Sequence, residues 1–202
     1  MGIHQGSKRN PHRTFQLGMT VSPQRSGFLE ALHSEEPAPD RTQEMMLYGQ
    51  FIGSWDLKVI DHDSDGSCRE GFGEVHFGLV LEGRAIQDVW IVPGRDARQA
   101  SNLPIMGNRY GTTLRVYDPN IKAWHILWLN PVTQTYNTMI GRKVNDEIVQ
   151  EYRDEDGALN QWIFSEITPN SFHWTGRSSH DEGKTWFVET EFFAQRRLSA
   201  DQ

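Results

Sequence analysis

The residues best suited to proton transfer lie on one short stretch, GEVHFGLVLEGRAIQDVW, which spans residues 73–90. Glu74 and His76 are two residues apart, so they share one face of a strand, where a carboxylate can orient an imidazole for general acid–base chemistry. Glu74 and His76 are therefore the predicted acid–base pair.

The same stretch predicts a β-hairpin with residues 82–83 as a two-residue turn, and the turn sets which side chains face each other. Phe77 then opposes Asp88 across the hairpin. The more apolar face, expected to point inward, comprises Val75, Phe77, Leu79, Leu81, Arg84, Ile86, Asp88 and Trp90. Glu74 and His76 fall on the outer face, and a bulge at the turn would reverse this assignment.

Charges on an apolar inner face need partners, because an unpaired buried charge is costly. Arg84 and Asp88 are separated by about 13 Å along their strand, so we expect each to meet a group on another strand. The candidate partners are Arg115, Gln150, Tyr152, Gln161 and Glu189. This pattern is consistent with two roles for the charged groups. They could form an ion-pair network that closes one end of the fold, or they could orient a ligand.

Aromatic residues are the other candidate site feature, since the chain has seven tryptophans. Trp124 and Trp128 share one strand face, and Phe172 and Trp174 share another. Core packing explains any single one of them, but together they suggest a cavity wall for a flat, apolar ligand. The predicted ligand-binding residues are Arg84, Asp88, Trp90, Arg115, Trp128, Gln150, Tyr152, Gln161 and Trp174.

The elements that must position these residues are almost all strands. Alternating segments bounded by turn signals such as DSDG, DPN, DEDG and HDEG predict about ten short strands joined mostly by hairpins. The predicted strands are 51–61, 72–82, 84–93, 111–118, 122–130, 135–144, 147–153, 159–168, 171–179 and 185–196. Sequential hairpins favour an all-β fold, an antiparallel up-and-down β-barrel, because closure removes both sheet edges.

The chain divides into four segments by composition. Residues 1–25 contain four basic residues and no acidic one, which is typical of a flexible arm. Residues 26–50 predict a short helical lead-in, with Asp40 as the N-cap of a second helix. Residues 51–197 form the barrel and 198–202 a C-terminal tail. Within the barrel, the long loop 94–110 could fold over the mouth.

The composition excludes several functions. A net charge of −7 argues against binding to nucleic acid or to an anionic membrane surface. No segment resembles a secretory signal or a membrane span, so we expect a cytoplasmic protein. The single cysteine, Cys68, cannot form an internal disulfide. No metal-binding histidine spacing, nucleophile elbow or phosphate loop is present, and no cofactor is predicted.

A Gly-x-Trp motif at the head of the predicted barrel carries a family resemblance. The stretch FIGSWDL at 51–57, the ten strands and the arginines of FFAQRR resemble the calycin barrels, which include lipocalins, fatty-acid-binding proteins and nitrobindin-like barrels. GTTLRVYDPNIKAW and FHWTGRSSHDEGKTW are similar to a calycin branch described as a lipocalin-like domain of unknown function. The resemblance implies that Trp55 plugs the barrel bottom beneath Arg196 or Arg197, so that any site lies toward the other end.

Two functions are consistent with this resemblance. The first is binding of a small hydrophobic or planar ligand in the barrel lumen. The second is a cofactor-independent isomerase, cyclase or lyase on the same barrel, acting by proton transfer on a small apolar substrate; a role in natural-product biosynthesis would fit it. Lipocalin-like folds host such enzymes, and this precedent makes Asp88 and His76 catalytic candidates for proton transfer, with Arg84 orienting a carboxylate or an enolate. Nitrobindin-like barrels bind haem through a histidine near the chain end, but no histidine follows His180 here, which argues against haem and leaves His173 as a candidate. A homodimer through an exposed aromatic face is compatible with either function.

Overall fold

The computed structural model describes residues 27–98 and 107–197, and within them the chain forms a closed β-barrel. The ten barrel strands are β2 (Gly53–His62), β3 (Cys68–Val80), β4 (Ala85–Val92), β5 (Arg109–Asp118), β6 (Ala123–Asn130), β7 (Thr135–Val144), β8 (Glu147–Arg153), β9 (Leu159–Ser165), β10 (Ser171–Ser179) and β11 (Phe187–Arg196). The predicted fold class and all ten predicted strands are confirmed.

Every barrel strand pairs antiparallel with its neighbours in sequence, and β11 pairs with β2 to close the ring. This is the up-and-down topology that the sequential hairpins predict, since closure leaves no unpaired edge. Inward side chains alternate with outward ones along each strand, as the buried Trp55, Leu57 and Val59 of β2 illustrate.

Short elements of the lead-in lie beside the barrel. They are α1 (Gly27–Leu32), β1 (His33–Ser34), which pairs with β3, and α2 (Thr42–Gly49). The predicted short N-terminal helices are therefore confirmed. The predicted N-cap is wrong, because α2 begins at Thr42 after Arg41 and no side chain caps it. Tyr48 of α2 is fully buried in the barrel core.

The hairpin of β3 and β4 has the predicted register. Phe77 pairs with Asp88 and Val75 with Trp90, and all four side chains are buried. β3 ends at Val80 and β4 begins at Ala85, however, so the turn residues do not point into the barrel. Leu81, which was expected to point inward, is exposed.

Arg84 therefore does not lie in the lumen, which corrects the sequence expectation. Its guanidinium is half exposed and forms an ion pair with Asp40, 3.0 Å away. The physical reason is that the lead-in passes closely under the turn, where the amide of Ala38 donates to the carbonyl oxygen of Gly83. Gly83 has a positive φ of 72°, and an added Cβ would clash with the lead-in backbone. Arg84 is thus held outside the barrel.

Trp55 closes the bottom of the barrel as predicted. The guanidinium carbon of Arg196 lies 4.0 Å from the centroid of its ring. The same guanidinium donates to the carbonyl oxygens of Gln50, Ile52 and Pro169, which fixes it between β2 and the turn before β10. A cation over an indole face contributes about 0.5–2 kcal/mol in addition to these hydrogen bonds. The lower half of the barrel is consequently a packed core.

Other sequence expectations fall outside the described residues. The basic arm (1–25) and the tail (198–202) lie there, as does the middle of the 94–110 loop. The described part of that loop includes α3 (Arg95–Arg98). Cys68 is a free cysteine and is exposed. In the described ranges, every helix is too short to cross a membrane.

Candidate functional site

A cavity of about 330 Å³ opens at the end of the barrel opposite Trp55. Its lining residues are Trp90, Gly107, Asn108, Arg109, Thr113, Arg115, Trp128, Asn130, Thr133, Thr135, Asn137, Tyr152, Trp162, Trp174, Gly176, Glu189, Thr190 and Phe192. Almost all of them lie on the strand ends far from Trp55. The lumen is therefore packed in its lower half and hollow in its upper half.

Four tryptophans form one continuous wall of the cavity, called here the tryptophan wall: Trp90, Trp128, Trp162 and Trp174. Neighbouring rings along it meet edge-to-face or tilted, with centroids 5.4–5.9 Å apart. Phe192 packs against this wall, 4.9 Å from Trp90 and 5.0 Å from Trp174. Such arrangements are favourable for aromatic pairs.

The floor of the cavity is a buried arginine. Arg115 is 1% exposed and donates from Nη1 to Asp88 Oδ2 at 2.5 Å and from Nε to Gln150 Oε1 at 3.1 Å. The backbone amide of Thr113 donates to the other carboxylate oxygen of Asp88 at 2.9 Å. The opposite charge and these hydrogen bonds offset the desolvation cost of the buried ions.

Aromatic rings surround the same guanidinium from below. Its carbon lies 4.9 Å from the ring centroid of Tyr48 and 5.8 Å from those of Phe77 and Phe164. Burial raises the pKa of the Tyr48 hydroxyl above its ordinary value. Arg115 therefore separates the packed lower core from the open upper cavity.

A second ion pair, between Arg109 and Asp61, lies at the mouth of the cavity. Arg109 at the start of β5 donates to Asp61 Oδ1 at 2.5 Å and to the hydroxyl of Thr190 at 3.1 Å. Thr190 also donates to Asp61 at 2.8 Å, and the Arg109 guanidinium lies over the ring of Phe192. This network joins β2, β5 and β11 across the rim, and both of its charges are compensated.

Glu189 reaches the cavity because β11 is irregular. The register shifts so that Gly176 pairs with Thr190 and Arg177 with Val188, which leaves Glu189 as the extra residue of a bulge. Glu189 and Thr190 consequently both line the cavity although they are adjacent in sequence. Glu189 accepts a hydrogen bond of 2.9 Å from the hydroxyl of Ser178.

Tyr152 lies near Glu189 on the cavity wall. Burial, with the nearby Glu189 and Asp154 carboxylates, raises the pKa of the Tyr152 hydroxyl to about 12. Its oxygen accepts a hydrogen bond from Asn137 Nδ2 at 3.2 Å. The phenol is therefore neutral at ordinary pH and offers a hydroxyl, without a charge, to a ligand.

Asn108 contributes a hydrogen-bond acceptor to the cavity. The residue is 7% exposed and lines the cavity, and its side-chain oxygen has no hydrogen-bond partner within the described residues. A buried polar atom in this state costs free energy unless a ligand or water satisfies it.

Five of the predicted ligand-binding residues line this cavity: Trp90, Arg115, Trp128, Tyr152 and Trp174. Asp88 and Gln150 lie behind them and hold Arg115. Asp88 was expected to need a partner, and Arg115 was one of the candidate partners. Gln161 is on the outer face, where it bonds Glu151 and Arg177, because its neighbour Trp162 occupies the inward position. Arg84 is outside the barrel, as described above.

The predicted acid–base pair, Glu74 and His76, lies on the outer face of the barrel, as the hairpin register predicted. Glu74 is 3% exposed and accepts hydrogen bonds from Arg95, Arg197 and His76. These donors hold the pKa of Glu74 well below its ordinary value, with Arg95 as the largest cause. The cluster ties α3 and the end of β11 to β3. Neither Glu74 nor His76 lines the cavity.

Several lining residues were not among the predicted ligand-binding residues. Asn108 and Arg109 were assigned to a loop, and no local signal identifies them. Trp162 lies on the same face of β9 as the buried Asn160 and Phe164, so strand alternation could have identified it. Glu189 was predicted only as a candidate partner for an interior charge, and its position in the cavity depends on the bulge in β11.

No histidine of the described ranges lines the cavity. His173 lies on the outer face of β10, stacked on Phe193 with ring centroids 4.5 Å apart, and pairs with Glu191. His76 and His125 also point outward, toward Glu74 and Asp118. The described residues therefore do not fit haem held through an axial histidine in this cavity. Within the same ranges, His, Cys, Asp and Glu form no cluster suited to a metal ion.

Comparison with solved structures supports the fold. An S-type phycobiliprotein lyase, CPES from Guillardia theta, is similar over 76% of this chain and 92% of its own, with a TM-score of 0.53 and 13% identity. Rv2717c from M. tuberculosis matches 81% of this chain and 100% of its own, with a TM-score of 0.49 and 11% identity. No protein-family model and no curated protein matches the chain. At 13% identity the likeness to the phycobiliprotein lyase concerns the fold alone, a closed antiparallel β-barrel.

Proposed function

We propose that the protein binds a small hydrophobic or planar molecule in the upper half of its barrel. The observation that carries the proposal is the cavity itself, which has a volume of about 330 Å³ and is lined by the tryptophan wall and Phe192 together with several polar side chains. Ligand sites are concave, largely apolar and supplied with a few polar groups that orient the ligand, and their volumes begin at about 300 Å³. A molecule of two or three fused rings is the expected size.

The rigidity of the surrounding structure supports a preformed site. Arg115 below and the Asp61–Arg109–Thr190 network at the rim fix the two ends of the cavity by hydrogen bonds. A ligand that enters such a site does not have to order its walls, so less free energy of binding is lost.

A dye-binding experiment with a blocking variant tests the proposal. The neutral planar dye Prodan should increase in fluorescence and shift to the blue on binding to the purified protein. Thr135→Trp places a large ring in the cavity and should weaken dye binding by at least tenfold. Tyr136→Trp is the matched control, because Tyr136 is the next residue of β7 and is 66% exposed on the outer face. It should bind Prodan as the unchanged protein does.

The same experiment can contradict the proposal. Absence of a Prodan signal together with absence of any co-purified molecule in native mass spectrometry would show that the cavity does not bind such ligands. Equal dye binding by the two tryptophan variants would place the dye elsewhere on the protein.

Proton-transfer catalysis on the same barrel is the alternative that the sequence raises. The nominated acid–base residues give it little support: Glu74 and His76 are outside the barrel, and Asp88 is engaged by Arg115 and the Thr113 amide. We therefore prefer a binding function to a catalytic one.

A further inference from the structure

The charges around the cavity do not cancel. Of the described residues, three charged side chains line it: Arg109, Arg115 and Glu189. Each arginine is paired with its own carboxylate, Arg109 with Asp61 and Arg115 with Asp88. Glu189 receives only the hydroxyl of Ser178, and no cation of the described ranges forms an ion pair with it. Among the residues that the structure describes, the site thus carries one uncompensated negative charge at its mouth.

The tryptophan wall is suited to a positive ligand as well as to an apolar one. The face of an indole ring carries negative electrostatic potential, and tryptophan is the side chain that attracts cations most strongly in this way. Such contacts contribute about 0.5–2 kcal/mol, more where water is excluded. Trp90, Trp128 and Trp174 are each less than a tenth exposed, so the wall is largely desolvated.

Among the described residues that line the cavity, the buried polar atom without a hydrogen-bond partner is an acceptor, the side-chain oxygen of Asn108. A ligand that carries an N–H group would satisfy this oxygen. The Glu189 carboxylate likewise accepts hydrogen bonds from such a group. Both features favour a ligand that donates hydrogen bonds.

From these three observations we propose that the ligand class is an organic cation, an amine charged at neutral pH and joined to a planar apolar ring system. The rings lie against the tryptophan wall, and the ammonium group lies near Glu189. This inference rests on the proposed lumen-binding function and specifies which ligands that function serves.

An anionic ligand is the competing possibility, because Arg115 lies at the floor. Its charge is already compensated by Asp88 at 2.5 Å, and its guanidinium is surrounded by the rings of Tyr48, Phe77 and Phe164. A second carboxylate there would face Asp88 as well as Arg115. The floor is therefore close to neutral, and the charge preference of the site is set by Glu189.

Three probes of matched size separate these possibilities: 2-naphthylmethylammonium, 2-naphthylmethanol and 2-naphthoate. Calorimetric titration of the full chain at neutral pH should give a dissociation constant for the ammonium about tenfold lower than for the neutral alcohol, with the naphthoate weakest. The preference for the ammonium should decrease as salt is added, since Glu189 is exposed at the mouth.

Two variants assign the preference to one carboxylate. Glu189→Gln keeps the hydrogen bond with Ser178 and removes the charge, so the ammonium and the alcohol should then bind within about twofold of each other. Glu191→Gln is the matched control, because Glu191 is on the same strand but pairs outward with His62 and His173. It changes the net charge equally and should leave the preference intact. Prodan binding by both variants checks that each cavity is intact.

The possible failures are distinguishable. If the alcohol binds as tightly as the ammonium, or the naphthoate binds more tightly, the cation proposal is overturned while lumen binding stands. A preference that survives Glu189→Gln also overturns it. If none of the three probes binds and Prodan gives no signal, lumen binding fails, and the cation proposal fails with it.

Discussion

At the scale of single residues, the central feature is a charged pair inside the barrel. Arg115 and Asp88 are both essentially inaccessible to solvent, and they come from adjacent strands. Burying two ions is costly, and their attraction repays this only where further hydrogen bonds satisfy the remaining atoms. Gln150 and the amide of Thr113 supply those bonds.

Removing Arg115 alone should be strongly destabilising, because Asp88 would remain buried without a counter-charge. We expect Arg115→Leu to lower the free energy of unfolding by about 3–5 kcal/mol in urea denaturation. The double variant with Asp88→Leu should recover a large part of this loss. Arg84→Ala should change it by less than about 1 kcal/mol, since its pair with Asp40 is exposed. A double variant as unstable as the single one would contradict this account.

At the scale of elements, β2 and β11 together close the bottom of the barrel. The chain enters β2 at Gly53 with a φ of 121°, which brings the Ile52 carbonyl to the guanidinium of Arg196 from the end of β11. A side chain at Gly53 would meet that guanidinium, since an added Cβ lies 2.9 Å from its Nη1 atom. The glycine of the Gly-x-Trp motif is therefore needed for two reasons. It adopts the positive φ without strain, and its lack of a side chain leaves room for Arg196.

Gly53→Ala should consequently destabilise the barrel. Strain at a positive φ costs about 1–3 kcal/mol, and displacement of Arg196 from Trp55 adds to it. Gly71→Ala is the matched control in the β2–β3 hairpin, because an added Cβ there meets no atom within 4 Å. It should change stability by less than about 0.5 kcal/mol. Thermal unfolding followed by circular dichroism measures both, and equal effects would show that the approach of Arg196 is unimportant.

At the scale of the whole molecule, the barrel is packed with side chains in its lower half, around Trp55, and holds the cavity in its upper half. On the outer face of the barrel, Glu74 of β3 accepts hydrogen bonds from Arg95 of α3 and from Arg197, which follows β11. Glu74 therefore links these three segments. The homodimer, the cytoplasmic location and the role of the basic arm stay predictions, and native mass spectrometry of the full chain measures the first of them.

Acid stability should depend on Glu74. Its pKa is lowered in the folded protein, so its contribution is complete above the ordinary value of 4.5 and is lost as the pH falls below it. We expect Glu74→Gln to cost about 1–3 kcal/mol near pH 7 and progressively less below about pH 4.5. Glu70→Gln, at an exposed pair with Lys58 on the same hairpin, should cost less than about 0.5 kcal/mol. A Glu74→Gln deficit that does not shrink in acid would refute this role.

The sequence by itself determined the strands, their order and the register of the 73–90 hairpin. These depend on alternation and turn residues, which act between neighbours in the chain. It also predicted the Trp55 plug beneath a terminal arginine, through the family resemblance. Five of the cavity residues followed from the same alternation together with their aromatic or charged character.

Only the tertiary structure decided which distant groups meet. Asp88 and Arg115 are 27 residues apart and Arg115 and Gln150 are 35 apart, so their pairing depends on barrel closure rather than on local pattern. Arg84 was expected inside, but the lead-in that crosses under its turn holds it outside against Asp40. Glu189 enters the cavity through a bulge, which arises from the fit between two strands. Local patterns determine which face of a strand is apolar, whereas strand ends, bulges and crossing segments determine which charges reach the lumen.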